Sequence, residues 1–112
     1  MGERWVPGRQ GTGYDKMTLF RLWFADAYLL RFPEGSYVPA HTDGVPGCRH
    51  WRLNVVLRKA DRGGEFVCAH ARRLGRICLF RPDREIHSVT RIDEGTRYVL
   101  SLGWALPGRA RV

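Results

Sequence analysis

The chain has 112 residues, 44% hydrophobic and 27% charged, the profile of one ordinary soluble globular domain. Its longest apolar run, Leu22 to Leu30, is broken by Asp26 and is far shorter than the ~20 residues of a membrane span; MGERWVPGRQGTG at the N-terminus lacks the apolar core of a signal peptide, so a cytoplasmic protein with no membrane partner is expected. The formal charge of +8 rests on 17 Arg and 2 Lys, scattered rather than clustered, which reads as a solvated basic surface or as a pointer to an anionic partner.

Residues 1–15, rich in glycine and without periodicity, read as a flexible arm carrying Trp5 and Tyr14. The domain proper is expected over 16–106, with a short tail at 107–112. MTLFRLWF (17–24) and DAYLLRF (26–32) are two strand-like runs with a break at Ala25-Asp26, and a helix across 17–32 is the competing assignment. Pro33-Glu34-Gly35-Ser36 is a turn, and Tyr37 to Ala40 is a short strand delivering His41. After a loop at 44–47, HWRLNVVLR (50–58) alternates, with Trp51, Leu53, Val55 and Leu57 on one face and Arg52, Asn54 and Val56 on the other. Strands follow at 65–69, 76–80, 85–92 and 96–105, with 71–75 irregular and turns at 61–64 and 93–95. Short strands at regular spacing without a firm helix predict an all-β sandwich or barrel.

The chemistry gathers around His41-Thr42-Asp43. In a strand, residues i and i+2 point the same way, so His41 and Asp43 are able to bind one ion. His87, expected from a strand facing them across the barrel, completes two imidazoles and one carboxylate, the facial triad of non-haem Fe(II) sites with open positions for substrate. Arg97 offers a planar fork for a carboxylate deeper in the barrel. Val99 and Ser101 share its strand face, so the Ser101 hydroxyl is a candidate for the same group.

These stretches resemble the Fe(II)/2-oxoglutarate-dependent oxygenases. The likeness runs from residue 28 to 104 through YLLRFPEGSYVPAHTD, RLNVVL, GGEFV, GRICLFRPDREIHSV and EGTRYVLSLGW. It implies a double-stranded β-helix, a jelly-roll related to cupins. It also implies Fe(II) held by His41, Asp43 and His87, and 2-oxoglutarate paired through its far carboxylate with Arg97. The implied activity consumes O2 and 2-oxoglutarate, releases succinate and carbon dioxide, and oxidises a C–H bond of a primary substrate, usually to an alcohol. Many members carry Tyr or Asn before the His-x-Asp motif where this chain has Leu30 and Phe32, and a serine where it has Val99. Tyr28, Arg52 and Asn54 are therefore the candidates to assist Arg97. Nucleic-acid demethylases of the family carry a second arginine where this chain has Gly103.

Other readings stay open. Arg52 and Asn54 line a cavity or face solvent, and Tyr28 binds a ligand or packs in the core. Trp23, Trp51 and Trp104 read as core or rim aromatics. Cys48, Cys68 and Cys78 have no paired spacing, which fits a reducing compartment. Cys48-Arg49-His50 and Cys68-Ala69-His70 would together supply four zinc ligands, although their spacing matches no standard module. A small barrel leaves its mouth open, for a bulky protein or nucleic-acid substrate or for a homodimer that covers it. The rival functions are a cupin-like metal- or ligand-binding module without turnover, and a basic nucleic-acid-binding β-barrel.

Overall fold

A computed structural model describes residues 5–43 and 48–107. The described residues form strands and turns with no helix. In chain order the strands are β1 (Val6–Pro7), β2 (Asp15–Arg21), β3 (Ala25–Phe32), β4 (Val38–His41), β5 (Cys48–Arg58) and β6 (Arg62–Gly63). They continue with β7 (Phe66–Val67), β8 (Arg72–Leu74), β9 (Ile77–Phe80), β10 (His87–Val89), β11 (Ile92–Glu94) and β12 (Arg97–Pro107). Seven of them make a large sheet in the order β1-β2-β3-β12-β5-β9-β8. β4-β10-β7 makes a smaller sheet, and β11-β6 is a two-stranded ribbon. This is the expected all-β jelly-roll of the cupin kind.

Several boundaries differ from the sequence expectation. The break in the first hairpin lies at Leu22-Trp23-Phe24, closed by the Leu22 N–H donating to the Ala25 carbonyl at 2.7 Å, and not at Ala25-Asp26. The helical alternative for 17–32 fails because β2 pairs with β3 along its length, starting from Asp15 opposite Arg31, where the guanidinium binds the carboxylate at 3.0 Å. The irregular stretch at 71–75 contains β8, paired with β9, and the run 85–92 divides into β10 and β11. Of the segment read as a flexible arm, the described part is anchored. β1 pairs with β2, and Tyr14 is buried with its ring stacked 5.2 Å from Phe32. The loop at 44–47 and the tail at 108–112 lie outside the described residues.

Register fixes which side chains enter the barrel. Tyr28, Ser101, Asn54 and Cys78 form one inward row across β3, β12, β5 and β9, and Asp26, Gly103, Arg52 and Phe80 form the next. The alternate rows, such as Leu29, Leu100, Val55 and Ile77, point outward. Arg52 and Asn54 thus belong to the interior, and the apolar face of β5 is the outer one. Trp51 and Trp104 pair directly on that outer face, while Trp23 at the hairpin tip is 88% exposed and belongs to no core.

The apolar core is concentrated at one end, where Phe32, Val38, Val89, Ile92 and Val99 pack together. Ile92 and Val99 are almost completely buried, and each contributes on the order of 2 kcal/mol of transfer free energy. A smaller cluster of Cys68, Cys78 and Phe80 lies beside it. Between this core and the mouth, the inward face turns polar and forms a cavity of about 330 Å³.

Candidate metal centre

His41 closes β4 and His87 opens β10, and the two are direct partners across this antiparallel pair. His87 therefore comes from the neighbouring strand, not from one facing His41 across the barrel. The reason is the register: β4 and β10 bring the two imidazoles to the same end of their ladder, with ring centroids 4.4 Å apart. Asp43 follows two residues after His41, and its N–H donates to the Pro82 carbonyl at 2.7 Å, which fixes the chain leaving β4.

Both imidazoles are oriented by their own backbone. His41 Nδ1 donates to the Pro39 carbonyl at 2.7 Å, and His87 Nδ1 donates to the Glu85 carbonyl at 2.9 Å. With those protons on Nδ1, each neutral ring presents the Nε2 lone pair to Asp43. His41 Nε2 lies 3.4 Å from Oδ1 and His87 Nε2 lies 3.4 Å from Oδ2. Donors about 2.1 Å from one ion and at right angles are roughly 3 Å apart. Two lone pairs and a carboxylate converging at this distance fit a divalent cation, and these ligand atoms all lie within 4.8 Å of one another.

The surroundings keep one flank dry. His87 is buried, with the Phe80 and Phe66 rings 5.1 and 6.2 Å from its own. Below Pro82, Arg81 and Asp83 form a bidentate pair at 3.0 and 2.6 Å. The Glu85 carboxylate accepts from the Arg81 N–H at 3.0 Å. This turn carries the carbonyls that hold Asp43 and His87. Sequence reasoning matched the FRPDREIHSV segment without seeing that Asp83 and Glu85 organise it.

Arg97 begins β12 on the inward face and lines the same cavity. It is 6% exposed. Its Nη1 donates to the Gly64 carbonyl at 2.8 Å, and its Nε has no hydrogen-bond partner. Among the described residues no carboxylate pairs with it. Burial accordingly pushes its pKa down. Gly64 has a positive φ of 72°, and a Cβ there would overlap Ile92 and reach towards Arg97.

Ser101, Asn54, Arg52 and Tyr28 line this cavity too. The Ser101 hydroxyl donates to Asn54 Oδ1 at 2.6 Å and accepts from Arg52 Nη1 at 2.6 Å. Arg52 Nη2 binds Asp26 at 2.5 Å, so this guanidinium has an internal counter-ion where Arg97 has none. A Cβ at Gly103 would overlap the Arg52 guanidinium, so Arg52 fills the space that a larger residue at 103 would need. Tyr28 lies beneath two cations, Lys16 at 4.5 Å and Arg52 at 5.3 Å. Asp26, Lys16 and Arg21 were not singled out from sequence.

The cysteine–histidine pairs do not assemble. Among the described residues, His41, Asp43 and His87 are the ligand cluster, and Cys48, His50, Cys68 and His70 form none. Cys68 and Cys78 are buried free thiols that burial holds in the protonated form, while His70 is exposed. Among the described residues no helix is long and apolar enough to cross a membrane.

No protein-family model and no curated protein matches the chain. Solved structures do. A viral collagen prolyl hydroxylase from Paramecium bursaria Chlorella virus-1, in complex with 2-oxoglutarate, aligns with a TM-score of 0.59 at 20% identity, over 75% of this chain and 59% of its own. A 2-oxoglutarate–Fe(II) oxygenase-family oxidoreductase from Burkholderia pseudomallei gives 0.56 at 17% identity, over 88% of this chain and 48% of its own. The Schizosaccharomyces pombe Cnp3 cupin domain gives 0.60 at 14% identity, over 93% and 68%. The chain thus spans about half to three-fifths of the length of the two oxygenase structures. At these identities the likeness establishes the cupin-type jelly-roll.

Proposed function

We propose that the protein is an Fe(II)- and 2-oxoglutarate-dependent oxygenase acting as a hydroxylase. The observation that carries this is a pairing within one cavity: the His41, Asp43 and His87 cluster shares it with Arg97, a buried guanidinium without a carboxylate partner. His41, Asp43 and His87 would hold the metal through Nε2, Nε2 and one carboxylate oxygen. When bound, iron with 2-oxoglutarate would activate O2, with 2-oxoglutarate losing CO2 and taking one oxygen atom to become succinate while the other oxygen atom converts a substrate C–H to C–OH.

The remaining work belongs to the chain. The Pro39 and Glu85 carbonyls hold the imidazoles in the tautomer that leaves Nε2 free. Arg97 receives a carboxylate in a dry setting, where a charge-assisted bond is strongest. Phe66 and Phe80 exclude water beside His87. Ser101 and Asn54 keep the middle of the cavity polar, with Tyr28 next to them. Free thiols suit a reducing compartment.

The deciding experiment is anaerobic titration with Fe(II) and 2-oxoglutarate, read by the metal-to-ligand charge-transfer band, followed by oxygen and a succinate assay. The band and succinate are expected; absence of both in the wild-type protein overturns the proposal. A second reading, a cupin module that binds metal and ligand without turnover, is favoured by the wide coverage of the Cnp3 cupin domain. It predicts metal binding with no oxygen-dependent succinate.

A further inference from the structure

The cavity carries more positive charge than the proposed cosubstrate uses. Arg52 is matched by Asp26 at 2.5 Å, Asp43 faces the two histidines, and Arg97 awaits the far carboxylate of 2-oxoglutarate. Arg9, at the rim, lies 3.9 Å from Asp43, which leaves Lys16 and Arg21, both on β2 and both lining the cavity. Among the described residues neither has a carboxylate partner.

Their placement follows from a fault in the strand. Lys16 lies opposite Leu30 and Thr18 opposite Tyr28, all on the inward side. Simple alternation would next turn Phe20 inward. A register shift between Thr18 and Phe20 instead sets Phe20 opposite Ala27, on the outer side, and Arg21 opposite Asp26. The cavity wall thereby receives a guanidinium in place of an aromatic ring, and Phe20 is left 47% exposed.

Arg21 is well separated from Arg97: Arg21, Asp26, Gly103 and Arg52 occupy one row, and Arg97 begins β12 six residues before Gly103, about 20 Å away along an extended strand. Lys16 springs from the Leu30–Val99 row, two residues from Arg97, but its ammonium reaches Tyr28, in the Ser101 row, while the Arg97 guanidinium stays over Phe32 in its own row. A five-carbon diacid is too short to reach from Arg97 to Arg21. The row ends four strands away at Phe80, whose ring lies 5.1 Å from that of His87, so the basic end and the candidate metal ligands share one level of the barrel across the cavity from each other. The Lys16 ammonium sits over Tyr28, where burial and the charges of Arg21, Arg9 and Arg52 push its pKa down. An anion placed there relieves that crowding.

We infer that Lys16 and Arg21, with Tyr28 beneath the ammonium, form a second anion subsite that binds a carboxylate or phosphate of the primary substrate in the cavity shared with the candidate metal ligands. The subsite stands on its own geometry; its assignment to the primary substrate rests on the oxygenase reading.

The test is titration of the wild-type protein with propionate and with methyl phosphate, with and without saturating 2-oxoglutarate, followed by amide chemical shifts. At least one probe is expected to bind in both conditions, and its affinity falls about tenfold or more in Lys16→Met/Arg21→Gln. 2-Oxoglutarate affinity stays within about twofold. Lys16→Arg/Arg21→Lys retains probe binding, which separates lost charge from misfolding. Preference for methyl phosphate assigns a phosphate-bearing substrate, and preference for propionate a carboxylate-bearing one. No binding of either probe, equal binding by wild type and the neutral double variant, or loss only in Arg97→Met overturns the inference. Absence of succinate release with probe binding intact overturns the oxygenase reading and leaves the subsite standing.

Discussion

His41 and His87 are directly opposed residues on adjacent strands, and each presents Nε2 to a different oxygen of Asp43 at 3.4 Å. Three donors from two strands and the residues just beyond them make a site that loses its geometry when any one is removed. His87→Ala is expected to weaken Fe(II) or Zn(II) binding by on the order of 100-fold. Competition titration against a chromogenic chelator measures it.

Arg97 is a buried charge whose only hydrogen bond among the described residues is to the Gly64 carbonyl. Replacing it by an apolar chain of similar length removes a desolvation cost. Arg97→Met is expected to leave the ligand-free protein as stable or more stable, by about 1 kcal/mol, while 2-oxoglutarate affinity falls at least tenfold. Urea denaturation together with the charge-transfer titration checks both halves. A destabilised variant with normal cosubstrate affinity would reassign Arg97 to a structural role.

Asp83 sits 8% exposed in its bidentate pair with Arg81. Burial raises its pKa, yet the Arg81 guanidinium and backbone donors outweigh this and hold it low. A carboxyl with a depressed folded pKa contributes stability above its unfolded value, near 3.9, and loses it as pH falls through the folded value. Asp83→Asn is expected to cost about 2 kcal/mol at neutral pH and to flatten the stability profile below about pH 4. Denaturation midpoints between pH 3 and 7 give the comparison.

Gly103 makes room for Arg52. Gly103→Ala is expected to push the Arg52 guanidinium aside and break its bonds to Asp26 and Ser101, at a cost of about 1 kcal/mol. Combining it with Arg52→Ala recovers most of the loss if the overlap is the cause.

The candidate metal triad was legible because its signal is chemical and local: His41 and Asp43 two residues apart, a second histidine, and an arginine opening a long strand. The all-β class was legible from alternation and turns. The position of His87 was not, because strand adjacency is set by pairing that the one-dimensional pattern does not encode. β4 is four residues long and β10 three, too short to carry a register signal. Arg21 escaped notice for a different reason. One shifted residue on β2 reverses inside and outside for everything beyond it, and nothing in TLFR marks the shift. The polar interior of β5 inverted the usual inference from alternation, since a barrel built around a site hides its charged face and turns its apolar face outward.

The small sheet holds one last consequence. β7 has two residues, and the pairing of β4 with β10 slips between His87 and Val89. Such a ladder has few amide bonds to resist local opening, and two of the three candidate metal ligands lie on it. On the proposed function, chelation is expected to be felt first as faster amide exchange and proteolytic nicking around residues 38–43, under conditions where the seven-stranded sheet remains folded.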